Sequence, residues 1–92
     1  MKVIYKYILT IKPKADLFLP KGSKILSVGN QRGYLCVWTL QTQETQKEQH
    51  TLIIRGTGHH IRENEPLGDF IGTVILENLV WHVFQLKKQN EQ

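Results

Sequence analysis

Between Lys2 and Ile11 the chain reads KVIYKYILTI, with Val3, Tyr5, Tyr7, Leu9 and Ile11 at every second position. Successive side chains of an extended chain point to opposite faces, so this period sets all five on one side of a strand. Ile4 and Ile8 partly cover the other side. The pattern breaks at KPKAD, returns in the short apolar LFLP, turns at Lys21-Gly22, and continues as a short strand around Ile25, Leu26 and Val28. YLCVWTLQ, residues 34–41, is rich in β formers, and the GNQRG before it predicts a hairpin. The wholly polar TQETQKEQH, residues 42–50, predicts a long loop or excursion, because it has nothing to bury. TLIIRG returns as a strand and is followed by the turn-rich GTGHHIRENEPLGD. FIGTVILE and LVWHVFQLKK then predict two last strands around a tight turn at Glu77-Asn78.

No stretch of ten or more residues carries a helical period, and turn residues recur at a spacing of about 8 to 12 residues. The fold predicted is all-β: one small antiparallel β sandwich or barrel of about six to seven short strands. It spans residues 1–86, with 42–50 as a polar loop and 87–92 as a flexible polar tail.

The chain has 92 residues, which limits it to one core, since two halves of this length could not each bury enough apolar surface. Its hydrophobic fraction of 40% is that of a folded chain, and its apolar runs are too short to span a bilayer. The N-terminus alternates and lacks a small-residue cleavage site, so a soluble protein without a secretory leader, resident in the cytoplasm, is expected. Cys36 is the single cysteine and is expected as a buried, inert thiol. A net charge of +4 biases the surface towards anions, but the lysines are scattered and no recognition helix is present. Neither a membrane nor sequence-specific DNA is expected as a partner.

Three blocks in order, KGSKILSVGNQRGYLCVWTL, RGTGHHI and FIGTVILENLVWHVF, resemble a family of small uncharacterised proteins from bacteriophages and prophages. Its usual pattern runs from a KYxL start through PxGAxILSVxxQxGxxxLW and GTGHxI to YIGTVxxxxLVWHVFE. The match covers nearly the whole chain. It departs at Ser23, where the family commonly has alanine, and at Gln85, where it commonly has an acidic residue. The resemblance implies a phage-encoded accessory protein that works inside a host cell, and it implies no reaction.

The most suggestive chemistry lies in the second block. Gly56-Thr57-Gly58 can turn several backbone amides towards one point, which makes a nest for an anion, and Arg55, His59, His60 and Arg62 would add donors around it. The plainer alternative is a turn whose polar residues face water. The motif lacks the spacing of a phosphate-binding Walker loop, and no strand-to-helix unit follows it. His59, His60, His82 and Cys36 show no metal-ligand spacing, so no metal and no cofactor are expected. Trp38 and Trp81 predict core positions, or else a stacking floor for a flat base if one is exposed. His82, alternating with Trp81, belongs on the opposite face. Pairing of Glu63 or Glu65 with His59 or His60 offers a general acid and base only through a flexible loop, and no enzyme is expected.

Three functions are therefore in play. The first is capture of a small anionic, nucleotide-like molecule, such as a signal made in host defence, by Arg55, Gly56, Thr57, Gly58, His59, His60, Arg62, Trp81 and His82. The second is an inhibitor that blocks a host defence protein through a strand edge or the 42–50 excursion. A hydrolase built on the GTGHH loop is the third. Uncovered strand edges also predict a homo-oligomer.

Overall fold

In the computed structural model, residues 1–87 are described and hold seven strands and no helix. The expected polar tail falls, apart from Lys87, outside the described residues. The strands are β1 (Val3–Leu9), β2 (Lys14–Pro20), β3 (Lys24–Gln31), β4 (Tyr34–Gln41), β5 (Lys47–Gly56), β6 (Asp69–Leu76) and β7 (Leu79–Gln85). All pairings are antiparallel, in a three-stranded sheet ordered β1-β4-β3 and a four-stranded sheet ordered β2-β5-β7-β6. The protein is a small all-β domain.

Two hairpins follow from turn chemistry. Gln31 pairs with Tyr34 across a two-residue loop in which Arg32 and Gly33 both have positive φ, 56° and 85°. That is the turn whose twist matches the strands it joins. The side chain of Asn30 accepts the Gly33 amide at 2.9 Å and holds the turn shut. Glu77 and Asn78 make the same turn between Leu76 and Leu79, with φ of 48° and 69°.

The sheets adjoin where β3 runs beside β6. There Asn30 Nδ2 donates to the Ile75 carbonyl at 2.9 Å, and the Val28 methyl lies 3.0 Å from where a Cβ on Gly72 would stand. Each of these strands carries a bulge, at Leu26 and at Ile71. An extra residue bends and twists a strand, which lets the two sheets turn towards one another at this border. One core results: Leu9, Leu35 and Val37 from the first sheet meet Ala15, Leu52, Ile54, Val74, Leu76 and Val83 from the second.

Three expectations need correction. Residues 47–50 belong to β5 rather than to a loop, paired with 17–20 of β2, and His50 is buried. Backbone pairing fixes this segment, so its polar side chains gave no warning. The segment KAD likewise starts β2 instead of preceding it. Trp38 is not in the shared core: Leu35 and Val37 point inward, which turns Cys36 and Trp38 to the outer face of the first sheet. The Trp38 ring lies 3.2 Å from the Cβ position of Gly29, and Cys36 beside it is fully buried.

Candidate functional site

The sites of interest gather where β5 outruns its neighbour. Pairing of β2 with β5 begins at Lys14 and Ile53, so Ile54, Arg55 and Gly56, which pair with β7 along one edge, face the connection from β1 to β2 along the other. Over this corner folds the connection from β5 to β6, residues 57–68.

Gly56 to His59 form the first turn. The His59 amide donates to the Gly56 carbonyl at 3.0 Å, and Gly58 has φ 91°, a region that side chains disfavour. The Gly56 amide donates to His59 Nδ1 at 3.1 Å and the Thr57 amide to the Val80 carbonyl at 2.9 Å. Three of the amides expected to converge on an anion are thus spent within the protein. The two glycines shape the turn and do not build a nest.

Gly56 has a second role. A Cβ there would stand 2.9 Å from His59 Cε1 and 3.2 Å from Trp81 Cζ3. The missing side chain is what allows the imidazole to lie over the strand and meet Trp81, its cross-strand neighbour being Gly56 itself. The two rings pack edge to face, with centroids 5.9 Å apart and planes at 77°.

Arg55 is a clasp. Its Nε donates to Glu65 Oε2 at 2.9 Å, Nη2 forms an ion pair with the same oxygen, and Nη1 donates to the Pro13 and Ile54 carbonyls, both at 2.9 Å. One guanidinium therefore ties the loop to the β1–β2 connection. The hydrogen bond from Arg55, aided by the Arg62 amide and both arginine charges, holds the Glu65 carboxyl below the ordinary glutamate range. Glu65 thus partners Arg55, and no hydrogen bond joins it to His59 or His60.

His82 faces away from Trp81, as alternation demands. Its Nε2 lies 2.7 Å from Thr57 Oγ1 and its Nδ1 lies 3.0 Å from Thr73 Oγ1. With a hydroxyl on each nitrogen, the ring fastens the start of the loop to β6.

These contacts border an open cavity of about 600 Å³. Ile54 and Trp81 form its apolar floor, Ile11 and Pro13 one wall, and His59, His60, Arg62, Lys12 and the Arg55–Glu65 pair the remainder. The volume lies within the range of small-molecule sites, roughly 300 to 1,000 Å³. Of the residues expected to bind, Arg55, His59, His60, Arg62 and Trp81 line the cavity, whereas Gly56, Thr57, Gly58 and His82 shape or anchor the loop around it. Lys12, Pro13 and Ile11 were not foreseen. They stand more than forty positions from the loop in sequence, and the sole hint was the KPK between two strands. Among the described residues no three of His, Cys, Asp and Glu gather as a metal site would require, and no helix is long and apolar enough to cross a membrane.

Fold and site together define a small two-sheet β domain with a cationic, aromatic-floored cavity at one corner. The chain belongs to the family described as Domain of unknown function (DUF7352), which it matches over residues 1–92. No curated protein and no solved structure matches it.

Proposed function

We propose that the protein is a binding module that captures a small anionic, nucleotide-like molecule in the corner cavity. One observation carries this reading. Among the described residues the one carboxylate lining the cavity, Glu65, is ion-paired with Arg55, while no hydrogen bond commits the side chains of Lys12, His60 and Arg62. Cationic and imidazole donors left over around a half-buried tryptophan suit a phosphate beside a flat ring. The GTGHH block contributes by shape: its turn sets His59 against Trp81 and carries His60 and Arg62 to the rim. The resemblance to bacteriophage and prophage proteins extends the reading to a phage accessory protein that sequesters a signal of host defence in the host cytoplasm. Binding alone accounts for this activity, and no catalytic step is invoked.

The test is calorimetric titration of the wild type against cyclic and linear dinucleotides and ADP-ribose derivatives, repeated with Arg62→Gln. Binding that weakens at least tenfold in the variant supports the reading. A wild type that binds none of them, yet suppresses a defence system in cells and captures a host protein, overturns it.

A second reading has its own observation. β1 pairs with β4 along one edge only, and Val3, Ile4, Tyr5 and Ile8 on it are exposed. It has no proline, no bulge and a single charge, Lys6, whereas β2, the other outer edge, follows Pro13, ends in Pro20 and carries Lys14 and Asp16. An unguarded apolar edge invites another strand, from a second copy or from a host protein. A homo-oligomer joined through β1 is compatible with the cavity, which lies beyond the far end of that strand.

A further inference from the structure

A second cavity, of about 440 Å³, lies against the first. The two share Ile11 and Trp81, so they adjoin along these residues. The second cavity opens where both tight hairpins meet the end of β1, and its lining is chiefly apolar: Ile8, Leu35, Leu76 and Leu79 with the ring of Tyr34. Ile8, Tyr34 and Leu79 are 57%, 57% and 59% exposed, although each borders a concave surface. Among the described residues one acidic residue lines it, Glu77 on the β6–β7 turn.

The polarity along this pair of cavities has a direction. Cationic and imidazole side chains without hydrogen bonds stand at one end, rings and aliphatic groups in the middle, and an acceptor at the other end. An aliphatic chain would fit the middle, but it would offer no partner to Glu77 or to the Tyr34 hydroxyl. A nucleobase with an exocyclic amine answers all three parts. It is flat enough to lie against Tyr34 or Trp81, and its amine can donate to a carboxylate as the cytosine amine does elsewhere.

We infer that one ligand spans both cavities: a nucleoside phosphate with its phosphate among Lys12, His60 and Arg62 and an amino-bearing base against Tyr34 and Leu79, donating to Glu77. This rests on the anion-binding reading of the first cavity and adds the second cavity and the choice of base.

Inorganic phosphate, AMP and IMP separate the two claims, since IMP differs from AMP in carrying a carbonyl where AMP has the amine. Titrations use the wild type, Arg62→Gln, Tyr34→Ala and Glu77→Asn, the last because asparagine tolerates the positive φ of 48° at that turn position. The wild type is expected to prefer AMP to IMP about tenfold, the value of one charge-assisted hydrogen bond at a partly open site. Glu77→Asn should bring that preference within about twofold, and Tyr34→Ala should weaken AMP and IMP alike without changing phosphate. Arg62→Gln should weaken all three. If Tyr34→Ala and Glu77→Asn leave AMP and IMP unchanged while Arg62→Gln weakens both, the ligand is confined to the first cavity and the inference falls with the anion site intact. If the wild type binds dinucleotides or ADP-ribose but none of the three probes, this inference falls alone; if it binds none of either set, both readings fail.

Discussion

Gly56 offers the sharpest perturbation of the site, because one methyl group there strikes the cavity wall and little else. The φ of Gly56 is not in the positive region, so alanine is allowed by the backbone. The new Cβ would stand 2.9 Å from His59 Cε1 and 3.1 Å from its Nε2, well inside the carbon contact distance of about 3.5 Å. The imidazole must swing away. It then gives up the hydrogen bond from the Gly56 amide, worth about 1 kcal/mol, and the edge-to-face contact with Trp81, worth about 0.5 to 1.5 kcal/mol. Alanine returns about 0.5 to 1 kcal/mol by restricting the unfolded chain, so the net loss of stability is only about 1 kcal/mol. The effect on binding should be larger than the effect on folding, because His59 is a wall of the cavity. A thermal melt and a calorimetric titration with ADP-ribose and cyclic dinucleotides, each run on wild type and Gly56→Ala, separate the two. We expect the melting temperature to fall by several degrees and the affinity by at least tenfold. Unchanged affinity, with a displaced His59 confirmed by its NMR signals, would show that this ring does not help hold the ligand.

Other consequences follow from the same geometry. Arg62→Gln should lower affinity with little change in the melt, whereas Arg55→Gln should lower both, since it also strands Glu65 and unties the loop from Pro13; equal melts for the two variants would refute the clasp. Because Arg55 depresses the Glu65 carboxyl, the clasp contributes fully above the ordinary carboxylate range, near pH 4, and its contribution is lost as pH falls below that range through the lowered value in the folded state. Amide protection factors in residues 57–68, which remove the intrinsic pH dependence of exchange, should therefore fall on acidification in the wild type more than in Glu65→Gln. Trp81→Ala should cost about 3 kcal/mol, the low end for a buried tryptophan, and abolish binding. Trp38→Ala on the outer face should cost less and leave affinity intact, as denaturant melts and titrations of both variants would show. Ile4→Lys should shift a homo-oligomer to monomer in light scattering without affecting the cavity, if β1 is the edge that pairs.

Much of the strand layout was legible in the sequence because period and turn chemistry agreed. β1 shows a clean alternation of apolar residues, and the β3–β4 and β6–β7 hairpins join β-forming runs across two-residue turns that contain Gly33 and Asn78, residues able to take positive φ. The extension of β5 through 47–50 was illegible, since Glu48 and Gln49 pair with Leu19 and Phe18 through backbone groups that every residue possesses. Trp38 was misplaced for a different reason. Leu35, Cys36, Val37 and Trp38 are all apolar, so period two cannot say which alternate pair faces inward. At the site, sequence drew attention to the right loop but could not assign its parts. A row of arginines, glycines and histidines does not distinguish a clasp from a free donor, or an open turn from an amide nest. That distinction is made by Glu65 and by the Pro13 and Val80 carbonyls, which approach only after folding.

The central claim is that a small anionic molecule sits between the 11–13 connection, the loop and Trp81. Amide and indole chemical shifts of the labelled wild type, followed during titration with ADP-ribose and cyclic dinucleotides, locate any ligand residue by residue. The account predicts saturable shifts in residues 11, 12, 54–62 and 81, absent in Gly56→Ala at the same concentrations. Shifts confined to β1, or none with any of these ligands, would contradict it.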